Sequence, residues 1–182
     1  MAINERRKLN LGCGADIRHG YINLDCVEAE GINVVWDLEK FPYPFKEGQF
    51  DEIYARFILE HLDNIVKVMR EWHRILKVGG KLFIEVPYDT SYSTWSNFQH
   101  KRAYNLKTLP MFVPSAITHV KTHDYGLGFG FKSIKQTLWF PKGLHLESYI
   151  ISPIFNRMHT IYEGTGLRAL FPAYSIRAEI IK

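Results

Sequence analysis

Leu9-Asn-Leu-Gly-Cys-Gly14 and, six residues further on, Tyr21-Ile-Asn-Leu-Asp25 are the stretches whose reading decides the fold. Leu9 and Leu11 end an apolar, strand-like run. Gly12 and Gly14 let the backbone turn sharply after it and approach a ligand with no Cβ in the way. Asp25 closes the next strand-like run, and an ionised carboxylate is acceptor-only, which suits it to holding both hydroxyls of a ribose. The pairing points to a site for a nucleoside-containing ligand.

Further strand-like runs follow at residues 33–35, 50–55 and 81–86, apolar on most positions and bounded by Gly, Pro or charged residues. Such near-continuous hydrophobic runs predict a buried parallel sheet. Between the last two runs, Ile65, Val66, Val68, Met69, Trp72, Ile75 and Leu76 recur at helical spacing; Asp63 or Asn64 is placed to cap the first turn, and Gly79-Gly80 stops the segment. Strand, helix, Gly-Gly, strand is a βαβ unit, and such units build an open α/β sheet with ligands at the carboxyl ends of its strands. One step is irregular. Only Ala15 to Gly20 separate the glycine turn from the second strand, whereas a parallel crossover takes about a dozen residues, so the first crossover helix is expected to shrink to a turn.

After Pro87 the texture changes. Residues 88–133 are rich in aromatics, glycine and proline without a clear period, and a long connection of that kind is expected to lie over the carboxyl edge of the sheet as a lid or substrate wall. Residues 136–140 read as a strand. Residues 144–170 are helical in pattern but broken at Pro153, Gly164 and Gly166, and the tail from Tyr174 to Ile180 alternates as a half-buried strand. The expectation is one domain spanning residues 1–182.

The 182 residues, 46% apolar and 14% aromatic, describe a folded chain with a full core. No apolar run approaches the roughly 18 residues of a membrane-spanning helix, and the first residues lack a signal peptide's apolar stretch, so a cytoplasmic protein is expected. Cys13 and Cys26 fit neither a disulfide framework nor a paired zinc spacing and read as small buried thiols. Residues 1–87 hold 12 Lys and Arg against 14 Asp and Glu, whereas residues 88–182 hold 11 against 5. A basic second half suits an acidic acceptor, although a solvated surface explains it as well; no tight basic cluster interleaved with aromatics appears, which argues against a dedicated nucleic-acid binder.

Taken together, these residues resemble the class I S-adenosylmethionine-dependent methyltransferases, over roughly residues 7–88. Leu9 to Gly14 looks like the family's first motif, and Asp25 stands where its ribose-binding acid belongs. Trp36-Asp37-Leu38 resembles the segment framing the adenine, with Asp37 as acceptor from the exocyclic amine. Gly48 to Tyr54 followed by Leu59-Glu-His-Leu62 resembles the fourth strand and its turn, and Leu76 to Pro87 the fifth-strand motif. The resemblance implies a Rossmann-like α/β fold, its sheet mostly parallel with an antiparallel last strand. It also implies S-adenosylmethionine as cofactor, held by Leu11, Gly12, Cys13, Gly14, Asp25, Asp37, Leu38, Ala55 and His61. A nicotinamide fold would need a third glycine where Ile17 stands, and a phosphate loop would need Gly-Lys-Ser or Gly-Lys-Thr.

On the acceptor side, His100, within Phe98-Gln-His-Lys-Arg-Ala-Tyr104, is the candidate base, with Arg102, Tyr104 and Tyr88 as substrate contacts; each has loop packing as its plain alternative. His61 follows Glu60 and either faces the cleft or packs at a helix start. His119 and His123, with Asp124 beside them, have the spacing of a helical metal pair, but the surrounding Pro and Gly argue against that helix, and no metal site is expected. The apolar cluster Tyr149, Ile150, Ile151, Ile154, Phe155 and Met158 covers the sheet, forms a homodimer face or lies on a membrane, in that order of preference. The expected activity is methyl transfer to a small metabolite or saccharide, with O-methylation favoured. The alternatives are a cofactor-binding module without transfer and a nucleic-acid methyltransferase; the last lacks the Asn-Pro-Pro-Tyr type of motif, of which Val86-Pro-Tyr88 is only a partial match.

Overall fold

In the computed structural model, which describes residues 7–116, 127–140 and 151–182, the strands are β1 (Lys8–Leu11), β2 (Ile22–Asp25), β3 (Val34–Val35), β4 (Phe50–Arg56), β5 (Leu76–Pro87), β6 (Ser133–Trp139) and β7 (Ser175–Ile181). They form one seven-stranded sheet in the order β3-β2-β1-β4-β5-β7-β6. The first five strands pair in parallel, and β7 runs antiparallel to both β5 and β6. This is the doubly wound order, which reverses direction between β1 and β4 and so opens a crevice at their carboxyl ends.

The helix between β4 and β5 is α1 (Ile65–Ile75). Its Val68, Met69, Trp72 and Ile75 recur three and four residues apart and are all fully buried. Asn64, rather than Asp63, is the cap: its side chain accepts from the Lys67 amide at 3.0 Å. Asn64→Ala is therefore expected to cost about 1 kcal/mol of stability, read as a lower urea midpoint at unchanged slope. The helix gives way to β5 at Leu76, ahead of Gly79, which takes φ +75°.

Among the described residues, no helix joins β1 to β2, β2 to β3 or β3 to β4. The first connection is a series of turns, as its length requires; the other two lack helices as well. The consequence corrects the expectation of a sheet buried on both sides. Register places Leu9, Ile53, Leu82 and Ile180 in one row and Leu11, Ala55, Ile84 and Ala178 in the next, all buried on the side packed by α1. The alternate positions form polar rows, Tyr54-Phe83-Glu179-Lys135 and Arg56-Glu85-Arg177-Thr137. With no helix over that face among the described residues, its side chains satisfy one another. The Glu85 carboxylate accepts from Arg56 Nε at 3.1 Å, Arg177 Nε at 3.0 Å and Ser175 Oγ at 2.7 Å, and the Arg18 guanidinium lies 3.3 Å from the Tyr54 ring centre. A cavity of about 540 Å³ lies on this side, where a crossover helix would otherwise sit.

Residues 88–116 hold α2 (Tyr92–Ser96) and two short 3-10 turns, and the connection from β6 to β7 holds α3 (Ser152–Arg157), α4 (His159–Gly164) and α5 (Leu167–Leu170). The breaks between these three fall near Met158 and Gly164 to Gly166; Pro153 opens α3 rather than breaking it. Phe155 is buried, whereas Ile154 and Met158 are exposed. Tyr149, Ile150, His119, His123 and Asp124 lie outside the described residues.

Candidate active site

The end of β1 and the end of β2 build the first half of the site. Gly12 and Gly14 take φ +58° and +48°, backbone that disfavours any side chain. At Gly12 space forbids one too, since a Cβ there would lie 2.4 Å from Ile58 Cγ1. At Gly14 nothing stands within 4 Å of that position, leaving open room beside the turn. The Cys13 amide donates to the Leu24 carbonyl at 3.1 Å, tying the turn to β2. Asp25 accepts from the Gly14 amide at 2.8 Å and from the Val27 amide at 3.2 Å. Glycine bend and carboxylate thus converge at the carboxyl edge. Trp36 donates from its amide to the Asp25 carbonyl, and Asp37 caps its own turn by accepting from the Glu39 amide at 2.9 Å.

Leu11, Cys13, Leu38 and Ala55 are buried, so their side chains shape the floor of this edge and only their backbones border it. Burial, and after it the neighbouring Asp25 charge, pushes the Cys13 thiol up from its ordinary value.

The second half comes from the 3-10 turn Leu59–His61 after β4 and from residues 97–104, which lie against it. The Lys101 amide donates to the Glu60 carbonyl at 2.9 Å, Arg102 donates to the Asp63 carbonyl at 2.7 Å, and Lys101 pairs with the Asp63 carboxylate at 2.7 Å. His61 and His100 meet edge to face with ring centres 4.7 Å apart. His100 Nδ1 lies 2.8 Å from the Thr94 carbonyl, which fixes that nitrogen as the donor and turns Nε2 towards Glu60, 4.0 Å away. Glu60 is fully buried, and neither carboxylate oxygen has a hydrogen-bond partner on another residue. Burial, helped by the Glu85 charge and opposed by its own amide, raises its carboxyl to about 7. His61 is held down, first by burial and then by His100.

Two expected acceptor contacts are placed differently. Tyr88 and Tyr104 are 0% and 1% exposed; Tyr88 donates to Glu163 at 2.9 Å and Tyr104 to the Leu59 carbonyl at 3.1 Å. A phenol buried this way needs a fixed partner for its hydroxyl, and with that partner found both rings serve as struts beneath the edge, not as surfaces for a ligand. Arg102 is pinned to the loop after the 3-10 turn. Glu60 went unremarked in the sequence beyond its place before His61, because a three-residue turn carries no periodicity that tells which side chain points inward.

Residues 13–84 match the family model of a methyltransferase domain. That segment is 72 of the 182 residues, and over it the chain is similar to the methyltransferase-domain family. The chain is similar to a sterol 4-C-methyltransferase, strm-1, of Caenorhabditis elegans, 41% identical over 51 residues, which are 28% of the chain and 15% of that protein. It is also similar to the mitochondrial 2-methoxy-6-polyprenyl-1,4-benzoquinol methylase of Leishmania donovani, 34% identical over 67 residues, 37% of the chain and 20% of that protein. The matched segments thus span a fifth or less of these relatives' length. A solved S-adenosylmethionine-dependent methyltransferase from Archaeoglobus fulgidus shares the fold at a TM-score of 0.65 and 19% identity, covering 98% of this chain and 87% of its own.

Proposed function

We propose that the chain binds S-adenosylmethionine at the carboxyl edge and transfers its methyl group to a small acceptor, with a hydroxyl-bearing metabolite or saccharide favoured. The observation that carries this reading is the Asp25 carboxylate held 2.8 Å from the Gly14 amide, beside open room at the glycine turn. An acceptor-only group fixed there suits two ribose hydroxyls, and the missing Cβ at Gly14 lets the backbone come close.

The sulfonium of the cofactor already activates the methyl group, so the protein's task is alignment and exclusion of water. Gly12, Gly14, Asp25 and Asp37 hold and orient the adenosyl part. His61, His100 and Arg102 border the acceptor, and residues 88–104 form its wall, whereas residues 127–132 lie at the other end of the sheet, beside His73 and Ile181. Residues 88–182 carry six more basic than acidic groups, which favours an acidic acceptor. Among the described residues no helix is long and apolar enough to cross a membrane.

The test is calorimetric titration with S-adenosylmethionine, followed by incubation of the protein with methyl-labelled cofactor and fractionated metabolite pools. Binding together with label transfer to a low-molecular-weight acceptor is the expected result. Binding without turnover across broad pools would establish a cofactor-binding module instead, and salt-sensitive binding to RNA or DNA would redirect the acceptor to nucleic acid.

A further inference from the structure

Glu60, His61 and His100 each offer one ligand atom, and the three atoms lie within 4.8 Å of one another. We propose that these three residues form a binding site for one divalent transition-metal ion of the zinc class.

Three observations converge. First, the Glu60 carboxylate is fully buried with both oxygens lacking a partner on another residue. A polar group left so is costly, and something must satisfy it. Second, His100 donates Nδ1–H to the Thr94 carbonyl, so Nε2 presents a lone pair to a carboxylate oxygen 4.0 Å away. Two acceptors facing each other at that distance are too far apart for a hydrogen bond and well placed to share a cation. Third, His61 meets the His100 ring edge to face with centres 4.7 Å apart and offers a ring nitrogen to the same cluster, while His100 has its other nitrogen tied to a backbone carbonyl. This is the outer-sphere arrangement that orients metal-binding imidazoles.

Ligands about 2.0–2.2 Å from a zinc-class ion stand roughly 3.4 Å apart in tetrahedral geometry. Small side-chain rotations close the present spread to that value. Two imidazoles and one carboxylate select a borderline ion over magnesium or calcium, and three protein ligands leave a position open. The cluster begins two residues after Ile58, which packs on Gly12. Its place on the acceptor side rests on the proposed function, where the open position would receive an acceptor hydroxyl and favour its ionisation; metal binding itself does not depend on that reading.

The experiment titrates the tag-free 182-residue chain, first stripped with chelator, with Co²⁺ near neutral pH and without cofactor. Visible ligand-field absorption saturating at one equivalent is expected, along with a rise in Tm on adding Zn²⁺. His61→Ala and His100→Ala should each weaken binding at least about 100-fold, beyond the 10–100-fold typical of losing an outer-sphere partner. Glu60→Gln should lose the metal similarly while melting, metal-free, at or above the parent temperature, because it removes the unpartnered charge. A His119→Ala/His123→Ala protein should titrate as the parent does. The proposal fails if the parent gives no saturable absorption, or if one-equivalent binding survives in Glu60→Gln or in either single histidine variant. Because no cofactor is present, such a failure leaves the methyl-transfer reading to its own test.

Discussion

Replacing Asp25 with alanine is expected to weaken S-adenosylmethionine binding by roughly ten- to a hundredfold, matching the 1.5–3 kcal/mol of hydrogen bonds to a charged group. From the end of β2 the side chain reaches back to the glycine turn, where it accepts from the Gly14 and Val27 amides. Both amides are at exposed positions, so water takes over their hydrogen bonds and the fold should survive. Asp25→Asn keeps the shape but exchanges an acceptor for a donor, and is expected to fall between the parent and alanine. Calorimetry on protein of unchanged Tm reads the effect. Equal affinity in a folded Asp25→Ala protein would remove the ribose contact and with it the main support for the cofactor site.

Trp72→Ala is expected to cost about 3–5 kcal/mol of folding stability, the range for emptying a large aromatic site in a core. Trp72 is fully buried at the centre of the α1 stripe, beside Met69 and Ile75. Among the described residues the sheet has a packed helix on that side only, so no second apolar layer there shares the loss. Set against a total of roughly 5–15 kcal/mol for a domain, the change should bring the protein close to unfolding at physiological temperature. Urea denaturation followed by far-UV circular dichroism measures it, and a loss under about 1 kcal/mol would contradict the single packed layer.

Much of this was readable from residues alone, for identifiable reasons. The glycine turn, Asp25 and the α1 stripe are local patterns whose physics does not depend on distant chain. The strand that Asp25 was expected to close is β2, Ile22–Asp25. The bare side of the sheet was harder to see, although Asp51, Glu52, Tyr54 and Arg56 already break the apolar run of β4; only the three helix-free connections make the break meaningful. Tyr88 and Tyr104 were misplaced because a tyrosine in an aromatic-rich connection looks the same whether it reaches outward or inward. The grouping of Glu60 and His61 with His100 was hidden by about forty residues of intervening chain, and depends on Lys101 and Arg102 anchoring one segment to the other.

The Arg56-Glu85-Arg177 row has a practical corollary. A flank that satisfies its own charges, and over which no helix lies among the described residues, offers little cover to displace, so a reporter dye or a foreign helix could be grafted there without prying anything loose. Asp16 and Arg18 carry that flank up to the glycine turn, so a dye placed there would sit close enough to sense a ligand arriving at the carboxyl edge.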